Sequence, residues 1–268
     1  MATSGTARAG ASAPAAGSAG DGWLKVFDPR PEAKLRLFCF PYAGGGASVY
    51  RTWFTELPSA VEVVGVQPPG RESRFREEPF RHLEPMAQAA AGALDGQLDR
   101  PFAFFGHSMG AILAFEVTRT LHRSAGQLPL HLFVSGRPGP TVENDDPPIH
   151  ELPREEFLEE LRGYAGTPEE VLRNQELMDL LEPLLRADFS VSETYDYRPG
   201  GERVPVPITA LGGTDDRDVP PDDLEPWRRE TTGAFRAHVL EGGHFFLHER
   251  RGEVLRIVSR ELEPHLAS

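Results

Sequence analysis

Short apolar runs alternate along the chain with longer segments in which apolar residues recur every three or four positions. The short runs predict strands at Leu35–Phe40, Val61–Val66, Phe102–Phe105, Leu130–Ser135, Ile208–Leu211 and Phe235–Val239. The longer segments predict helices at Ala47–Glu56, Glu84–Gln97, Met109–Arg123, Asp222–Thr231 and Glu253–Glu263. This alternation predicts an α/β fold in which helices cover both faces of a mainly parallel sheet.

One segment, Thr141–Pro199, interrupts the alternation because it contains no strand pattern. It contains instead two charged amphipathic patterns, Pro153–Tyr164 and Pro168–Ala187. A long helical insertion between two core strands is a natural place for a lid over an active site, so we interpret residues 141–199 as a helical lid. The alternative is a purely structural excursion that packs on the core.

The first residues are mostly Ala, Gly, Ser and Thr and contain no apolar segment typical of a signal peptide. We therefore predict a disordered leader over residues 1–22 and a single domain over residues 23–268. No apolar stretch approaches the roughly 20 residues that span a bilayer, so a membrane is not an expected partner. The single cysteine, Cys39, lies in an apolar run, which predicts a buried core residue and is typical of a cytoplasmic protein.

The formal net charge is −13. Nucleic acid is therefore not an expected partner, because contacts to phosphates need a basic face. We attribute the excess of acidic residues to solubility.

The strongest chemical signal is Gly106-His107-Ser108-Met109-Gly110, between a predicted strand and a predicted helix. This is the G-x-S-x-G nucleophile elbow of α/β-hydrolases, in which glycines on both sides let strand and helix approach closely. The turn exposes the Ser108 hydroxyl as a nucleophile and directs the Met109 N–H toward a developing oxyanion. His107 is interpreted as a structural residue, because a neighbour on the same turn cannot easily reach the serine.

A catalytic base is expected on a loop after the final strand, where Gly242 and Gly243 precede His244. His248 lies four residues further on, but a zinc-binding helix of this spacing needs Glu at the position of Phe245. The sequence therefore predicts His244 as the base and no bound metal.

The acid is expected after Ile208–Leu211, where Asp215, Asp216 and Asp218 all follow a pair of glycines. The residue pattern alone leaves the choice among them open. A second oxyanion donor is expected from the glycine-rich loop at 41–46, after the first predicted strand. A nucleotide-binding loop is not predicted there, because no Lys follows the glycines and Val49 stands where the dinucleotide motif needs Gly.

From about Leu35 to Leu262 the chain resembles the type II thioesterases, the stand-alone editing enzymes of polyketide and nonribosomal peptide assembly lines. The resemblance rests on several motifs beyond the elbow: Phe40-Pro41-Tyr42-Ala43-Gly44-Gly45-Gly46, Gln67-Pro68-Pro69-Gly70-Arg71-Glu72, Gly106-His107-Ser108-Met109-Gly110-Ala111, Ser135-Gly136-Arg137, Leu185-Arg186-Ala187-Asp188-Phe189 and Gly243-His244-Phe245-Phe246-Leu247.

The resemblance implies an α/β-hydrolase fold and a triad of Ser108, His244 and Asp216. It also implies that the N–H groups of Ala43 and Met109 bind the oxyanion, and that no cofactor is needed. Asp215 remains the alternative acid, because Arg217 stands where family members often have proline. The implied substrates are acyl groups on the phosphopantetheine arm of acyl carrier proteins, and hydrolysis would pass through an acyl-serine.

Other activities remain open at this point. A carboxylesterase or an acyltransferase could use the same triad, and a non-catalytic binder of acyl carriers could keep the same fold.

A cluster of arginines on the loop after Val61–Val66 is a candidate surface for binding an acidic carrier protein: Arg71, Arg74, Arg76 and Arg81. The alternative is a balanced solvated loop, because Glu72, Glu77 and Glu78 interrupt the cluster.

Overall fold

The computed structural model of the protein describes residues 22–124, 126–142, 147–164, 166, 168–197 and 203–266. The predicted leader, apart from Gly22, lies outside the described residues.

The strands form one sheet, and their bounds are β1 Leu24–Val26, β2 Leu35–Phe40, β3 Val61–Val66, β4 Phe102–His107, β5 Leu132–Ser135, β6 Ile208–Gly213 and β7 Phe235–Leu240. Their order across this seven-stranded sheet is β1-β3-β2-β4-β5-β6-β7. Only β1 runs antiparallel to its neighbour among the described strands, pairing Leu24 with Val66. The predicted mainly parallel sheet is therefore confirmed.

The described α-helices are α1 Leu83–Leu94, α2 Met109–Arg123, α3 Arg154–Tyr164, α4 Glu169–Leu172, α5 Gln175–Glu193, α6 Phe246–Glu249 and α7 Arg251–Leu266. In addition there are 3-10 turns at Ala47–Tyr50, Trp53–Thr55, Glu72–Arg74 and Pro221–Glu230. No helix in the described part of the chain is both long and apolar enough to cross a membrane.

Two predicted helices proved to be 3-10 segments. Ala47–Glu56 divides into two short turns, since its aromatic and β-branched residues disfavour an α-helix. Asp222–Thr231 is replaced by Pro221–Glu230, in which Pro226 has no N–H to donate to a helical hydrogen bond. The sequence pattern also missed β1, because three residues are too few to show a period.

Helices cover both faces of the sheet, as predicted. Alternate residues of β2 point to opposite faces. Phe38 and Phe40 join a core cluster with α1 and α2, while Leu37 and Cys39 join a second cluster with α7. The predicted insertion contains α3, α4 and α5, which form a third apolar cluster of their own. The pattern Pro168–Ala187 is two helices, and the second extends to Glu193.

Candidate active site

Ser108 lies at the junction between β4 and α2, with backbone angles φ 54° and ψ −119°. The flanking glycines make this turn possible. A Cβ on Gly106 would lie 2.0 Å from the carbonyl oxygen of Gly110, and a Cβ on Gly110 would lie 2.1 Å from that of Phe40. Glycine at both positions lets strand and helix pack this closely. Ser108, between them, has a sparsely populated backbone conformation that is common at functional sites.

The backbone on either side of Ser108 is fixed by hydrogen bonds. Its N–H donates to the carbonyl of Ser135 at 2.7 Å, and its own carbonyl accepts from the N–H of Ala111 at 2.9 Å. Met109 is the first residue of α2, so its N–H has no acceptor within the helix. This group is therefore available at the helix N-terminus, where the predicted oxyanion donor is needed.

The structure brings Asp216, and not Asp215, against His244. The Asp216 Oδ2 lies 2.8 Å from the His244 Nδ1, and the carboxylate is fully buried. The other carboxylate oxygen, Oδ1, accepts from the N–H of Asp218 at 3.1 Å. Asp215 is exposed and its side chain accepts from Thr214 instead. A buried carboxylate at Nδ1 orients an imidazole so that its Nε2 can accept a proton.

Ser108 and His244 lie at the same edge of the sheet, because β4 and β7 are parallel members of one sheet and each residue follows the carboxyl end of its strand. The ring of His107, next to Ser108, is centred 5.2 Å from the ring of His244. Within the described part of the chain, no hydrogen bond joins the Ser108 hydroxyl to His244. Such bonds are often long in free enzymes and tighten when substrate binds.

His107 is buried and packs under the elbow. Its Nδ1 lies 2.9 Å from the Ser135 hydroxyl, and burial holds its pKa well below the ordinary value, which favours the neutral ring. Gly136, at φ +59°, lies so close that a Cβ there would be 2.5 Å from the His107 ring. This packing agrees with the structural role expected from the sequence.

The glycine-rich loop after β2 begins with a tight turn. The Gly45 N–H donates to the Tyr42 carbonyl at 2.9 Å, and Gly44 has φ +76°. These features define a type II turn in which Ala43 and Gly44 are the central residues. Ala43, the second predicted oxyanion donor, therefore lies in a turn whose shape depends on glycine at the next position.

Sequence reasoning missed a buried ion pair behind this loop. Arg71 donates to both carboxylate oxygens of Asp188 at 2.8 Å, and the two side chains are 3% and 1% exposed. Asp188 belongs to α5 and also accepts the Gly44 N–H at 2.7 Å. Both residues occur in motifs noted above, but they are far apart in sequence and no local pattern pairs them.

This ion pair corrects the interpretation of the arginine cluster. Arg71 is buried, and Arg74 stacks on Trp23 at 4.6 Å and donates to the Gln67 carbonyl. Only Arg76 and Arg81 of the four remain exposed. The cluster is therefore not one continuous basic surface.

The insertion helices lie against this site. The Tyr164 ring, at the end of α3, is centred 6.3 Å from the ring of His244. A Cβ on Gly44 would lie 2.6 Å from the Leu185 side chain of α5, and one on Gly166 would lie 2.4 Å from the Phe245 ring. The insertion thus contacts both the glycine-rich loop and the histidine loop.

Two further groups near the site could be mistaken for metal ligands. Asp216, Asp218 and His244 offer ligand atoms within 4.8 Å of one another, but Asp216 and His244 already bind each other. The Nε2 of His248 lies 3.0 Å from the Tyr42 hydroxyl, and burial lowers the pKa of that histidine. His248 is thus part of the packing around the glycine-rich loop.

Comparison with known proteins agrees with this geometry. The family model described as Thioesterase domain matches residues 35–262. The gramicidin S biosynthesis protein GrsT of Aneurinibacillus migulanus is 43% identical over 245 residues, which cover 91% of this chain and 95% of that protein. The thioesterase PikA5 of Streptomyces venezuelae is 38% identical, over 90% of this chain and 85% of its own length.

Among solved structures, the type II thioesterase BorB from the borrelidin biosynthetic cluster has a TM-score of 0.81 at 38% identity. The match covers 90% of this chain and 97% of BorB. The sheet order, the elbow and the histidine loop occur together in a chain that aligns over most of its length with these proteins. The protein is therefore an enzyme of the thioesterase family, with the α/β-hydrolase fold and type II thioesterases among its near relatives.

Proposed function

We propose that the protein hydrolyses acyl thioesters carried on the phosphopantetheine arm of carrier proteins in a polyketide or nonribosomal peptide pathway. The observation that supports the chemistry best is the 2.8 Å contact between buried Asp216 and His244, on the loops beside the strained Ser108 turn. An oriented imidazole, a serine hydroxyl on a tight turn and nearby backbone N–H donors are the parts that acyl transfer to serine requires.

In the proposed reaction, His244 Nε2 takes the proton of Ser108 as the serine oxygen attacks the thioester carbonyl. Asp216 stabilises the imidazolium that forms. The Ala43 and Met109 N–H groups bind the oxyanion, an interaction worth roughly 3 kcal/mol for each donor. The imidazolium then protonates the departing pantetheine sulfur. A water molecule, deprotonated by His244, attacks the acyl-serine carbonyl, and His244 returns that proton to the Ser108 oxygen as the free acid leaves.

The proposed substrate class rests on the relatives. One takes part in gramicidin S biosynthesis and another belongs to the borrelidin cluster. Intermediates of such pathways are thioesters on carrier proteins, so the same class of substrate is proposed here. We also propose that α3, α4 and α5 form a lid over the acyl chain, because Tyr164 and Leu185 contact the two catalytic loops.

The decisive experiment compares wild-type protein with Ser108→Ala on an acyl-pantetheine thioester and on the matched oxygen ester. The variant should lose activity by a factor of about 10⁴ or more, with a small residual rate from the remaining oxyanion donors. Ser259→Ala, a serine of α7, is the matched control and should keep full activity. Wild-type protein should release thiol and acid in equal amounts, and intact-mass analysis should detect an acyl adduct on Ser108 if deacylation is slow.

Each other outcome favours a different activity. Thiol release that requires an added alcohol or amine would identify an acyltransferase. A faster rate on the oxygen ester would identify a carboxylesterase. Full activity in the Ser108→Ala variant would refute the proposed triad.

A further inference from the structure

The buried pair Arg71–Asp188 connects three parts of the structure that are remote in sequence. Asp188 lies in α5 of the insertion, and Arg71 lies on the loop after β3. Besides its two bonds to Asp188, Arg71 donates to the carbonyl of Gly45 at 3.0 Å and to that of Pro69 at 3.2 Å. The guanidinium therefore binds the insertion, its own loop and the glycine-rich loop at once.

The carboxylate of this pair also contacts the glycine-rich loop directly. Asp188 Oδ2 accepts the N–H of Gly44 at 2.7 Å. That N–H belongs to the central peptide of the turn, which joins Ala43 to Gly44. In a turn of this kind the central peptide can rotate between the type II and type I forms, and glycine allows both. Asp188 is the acceptor that selects the observed form.

We propose that Asp188, held by Arg71, is a positioning residue that fixes the Ala43 N–H as an oxyanion donor. This inference rests on the proposed function, because it assigns a role within the same site. Neither residue touches the reacting atoms. Asp188 acts through the Gly44 peptide, and Arg71 acts by holding the carboxylate and the Gly45 carbonyl.

A purely structural ion pair would behave differently when replaced. Buried pairs can often be exchanged for apolar residues of similar size without loss of stability. Such an exchange here would keep α5 packed but would leave the Gly44 N–H without its acceptor. The turn would then lose its preferred form, and the backbone at Ala43, one peptide before the Gly44 N–H, would shift with it. Displacement of a catalytic group by about 1 Å can lower the rate about 100-fold.

The test uses the double variant Arg71→Met/Asp188→Leu in the full chain, with Asp188→Asn as a milder companion. We expect the double variant to fold, with kcat on acyl-pantetheine about 100-fold lower and KM changed less than about threefold. The kcat of Asp188→Asn should fall about tenfold, because its amide oxygen can still accept the Gly44 N–H in part of the population.

A second readout is the affinity for an alkyl boronic acid. The Ser108 oxygen bonds to boron, its proton passes to His244, and the tetrahedral boronate carries the negative charge into the oxyanion site. Affinity should fall in parallel with kcat in both variants. Glu62→Gln is the matched control, since Glu62 forms a partly buried ion pair with Arg36 at the amino ends of β2 and β3, away from the catalytic loops. It should leave kcat and boronate affinity unchanged.

Unchanged kcat in a folded double variant would overturn the proposal, as would a raised KM with unchanged kcat. If the double variant does not fold, Asp188→Asn decides, and wild-type kcat and boronate affinity in that variant would overturn it. Failure of the proposed function is distinguished by Ser108→Ala. Loss of activity in Ser108→Ala, together with wild-type kcat and boronate affinity in the Asp188 variants, would refute only the positioning role.

Discussion

Replacing Asp216 by asparagine should cost most of the catalytic rate while preserving the shape of the site. The Asp216 Oδ1 accepts from the Asp218 N–H, so the asparagine amide oxygen should keep that position. Its NH₂ group would then face the Nδ1 of His244, where the carboxylate oxygen now lies at 2.8 Å. An NH₂ donor requires Nδ1 to be an acceptor, which moves the ring proton to Nε2. His244 would therefore present a proton to Ser108 and could not remove one.

The size of the loss follows from this tautomer change. In Ser–His–Asp enzymes the equivalent substitution lowers kcat by about 10⁴, or about 5 kcal/mol at 1.36 kcal/mol for each factor of ten. KM should change little, because Asp216 is buried behind the histidine. Steady-state rates of thiol release on an acyl-pantetheine measure both parameters, and thermal unfolding checks that the variant is folded.

Asp215→Asn is the matched control one residue away. Asp215 is exposed and contacts only Thr214 through its side chain among the described residues, so its substitution should change kcat less than about twofold. Equal losses in the two variants, or a larger loss in Asp215→Asn, would refute the assignment of Asp216 as the acid.

Three other measurements test the structure. Gly110→Ala should lower the free energy of unfolding by about 3 kcal/mol or more, because its Cβ would lie 2.1 Å from the Phe40 carbonyl oxygen. Gly92→Ala on α1 is the control and should be neutral or stabilising by up to about 1 kcal/mol, since no atom lies within 4 Å of its Cβ. Urea unfolding measures both variants. Burial lowers the pKa of His131 to about 4 in the folded protein. The folded state is therefore most stable above pH 6.5, where the ring is neutral in both states, and loses stability as the pH falls toward 4 and the unfolded state takes up a proton. His131→Phe should therefore show a flatter dependence of Tm on pH between 6.5 and 4, and an unchanged slope would contradict this. Hydrogen exchange in α3 should be faster than in β4 and should slow when an acyl mimic binds; equal protection with and without it would favour a purely structural insertion.

Much of the sheet could be predicted because parallel strands buried on both faces appear as nearly continuous apolar runs. The bounds of β2 and β3 were predicted to the residue for this reason. The elbow at Ser108 could be found because steric contacts with backbone fix glycine at positions 106 and 110. The loop before His244 could be found because Gly242 has φ +129°, a conformation that favours glycine.

The remaining features depend on contacts between distant segments. Three aspartates in one loop have similar local sequence contexts, and only the fold shows that Asp216 faces His244. The pair of Arg71 and Asp188 is separated by 117 positions, and neither residue has a local partner that reveals it. A sequence pattern gives the charge of a side chain and not its burial, so it groups the buried Arg71 with exposed arginines.

The separate apolar cluster of the insertion has a consequence for how such a protein can change. Its members pack mainly on one another: Ile149, Phe157, Leu161, Leu172, Met178 and Leu185. The two clusters on the faces of the sheet contain the elbow and the strands. Substitutions in this cluster can therefore reshape the proposed lid without disturbing the packing under Ser108. A chain built in this way can acquire a new substrate preference in few mutational steps while its catalytic framework stays intact.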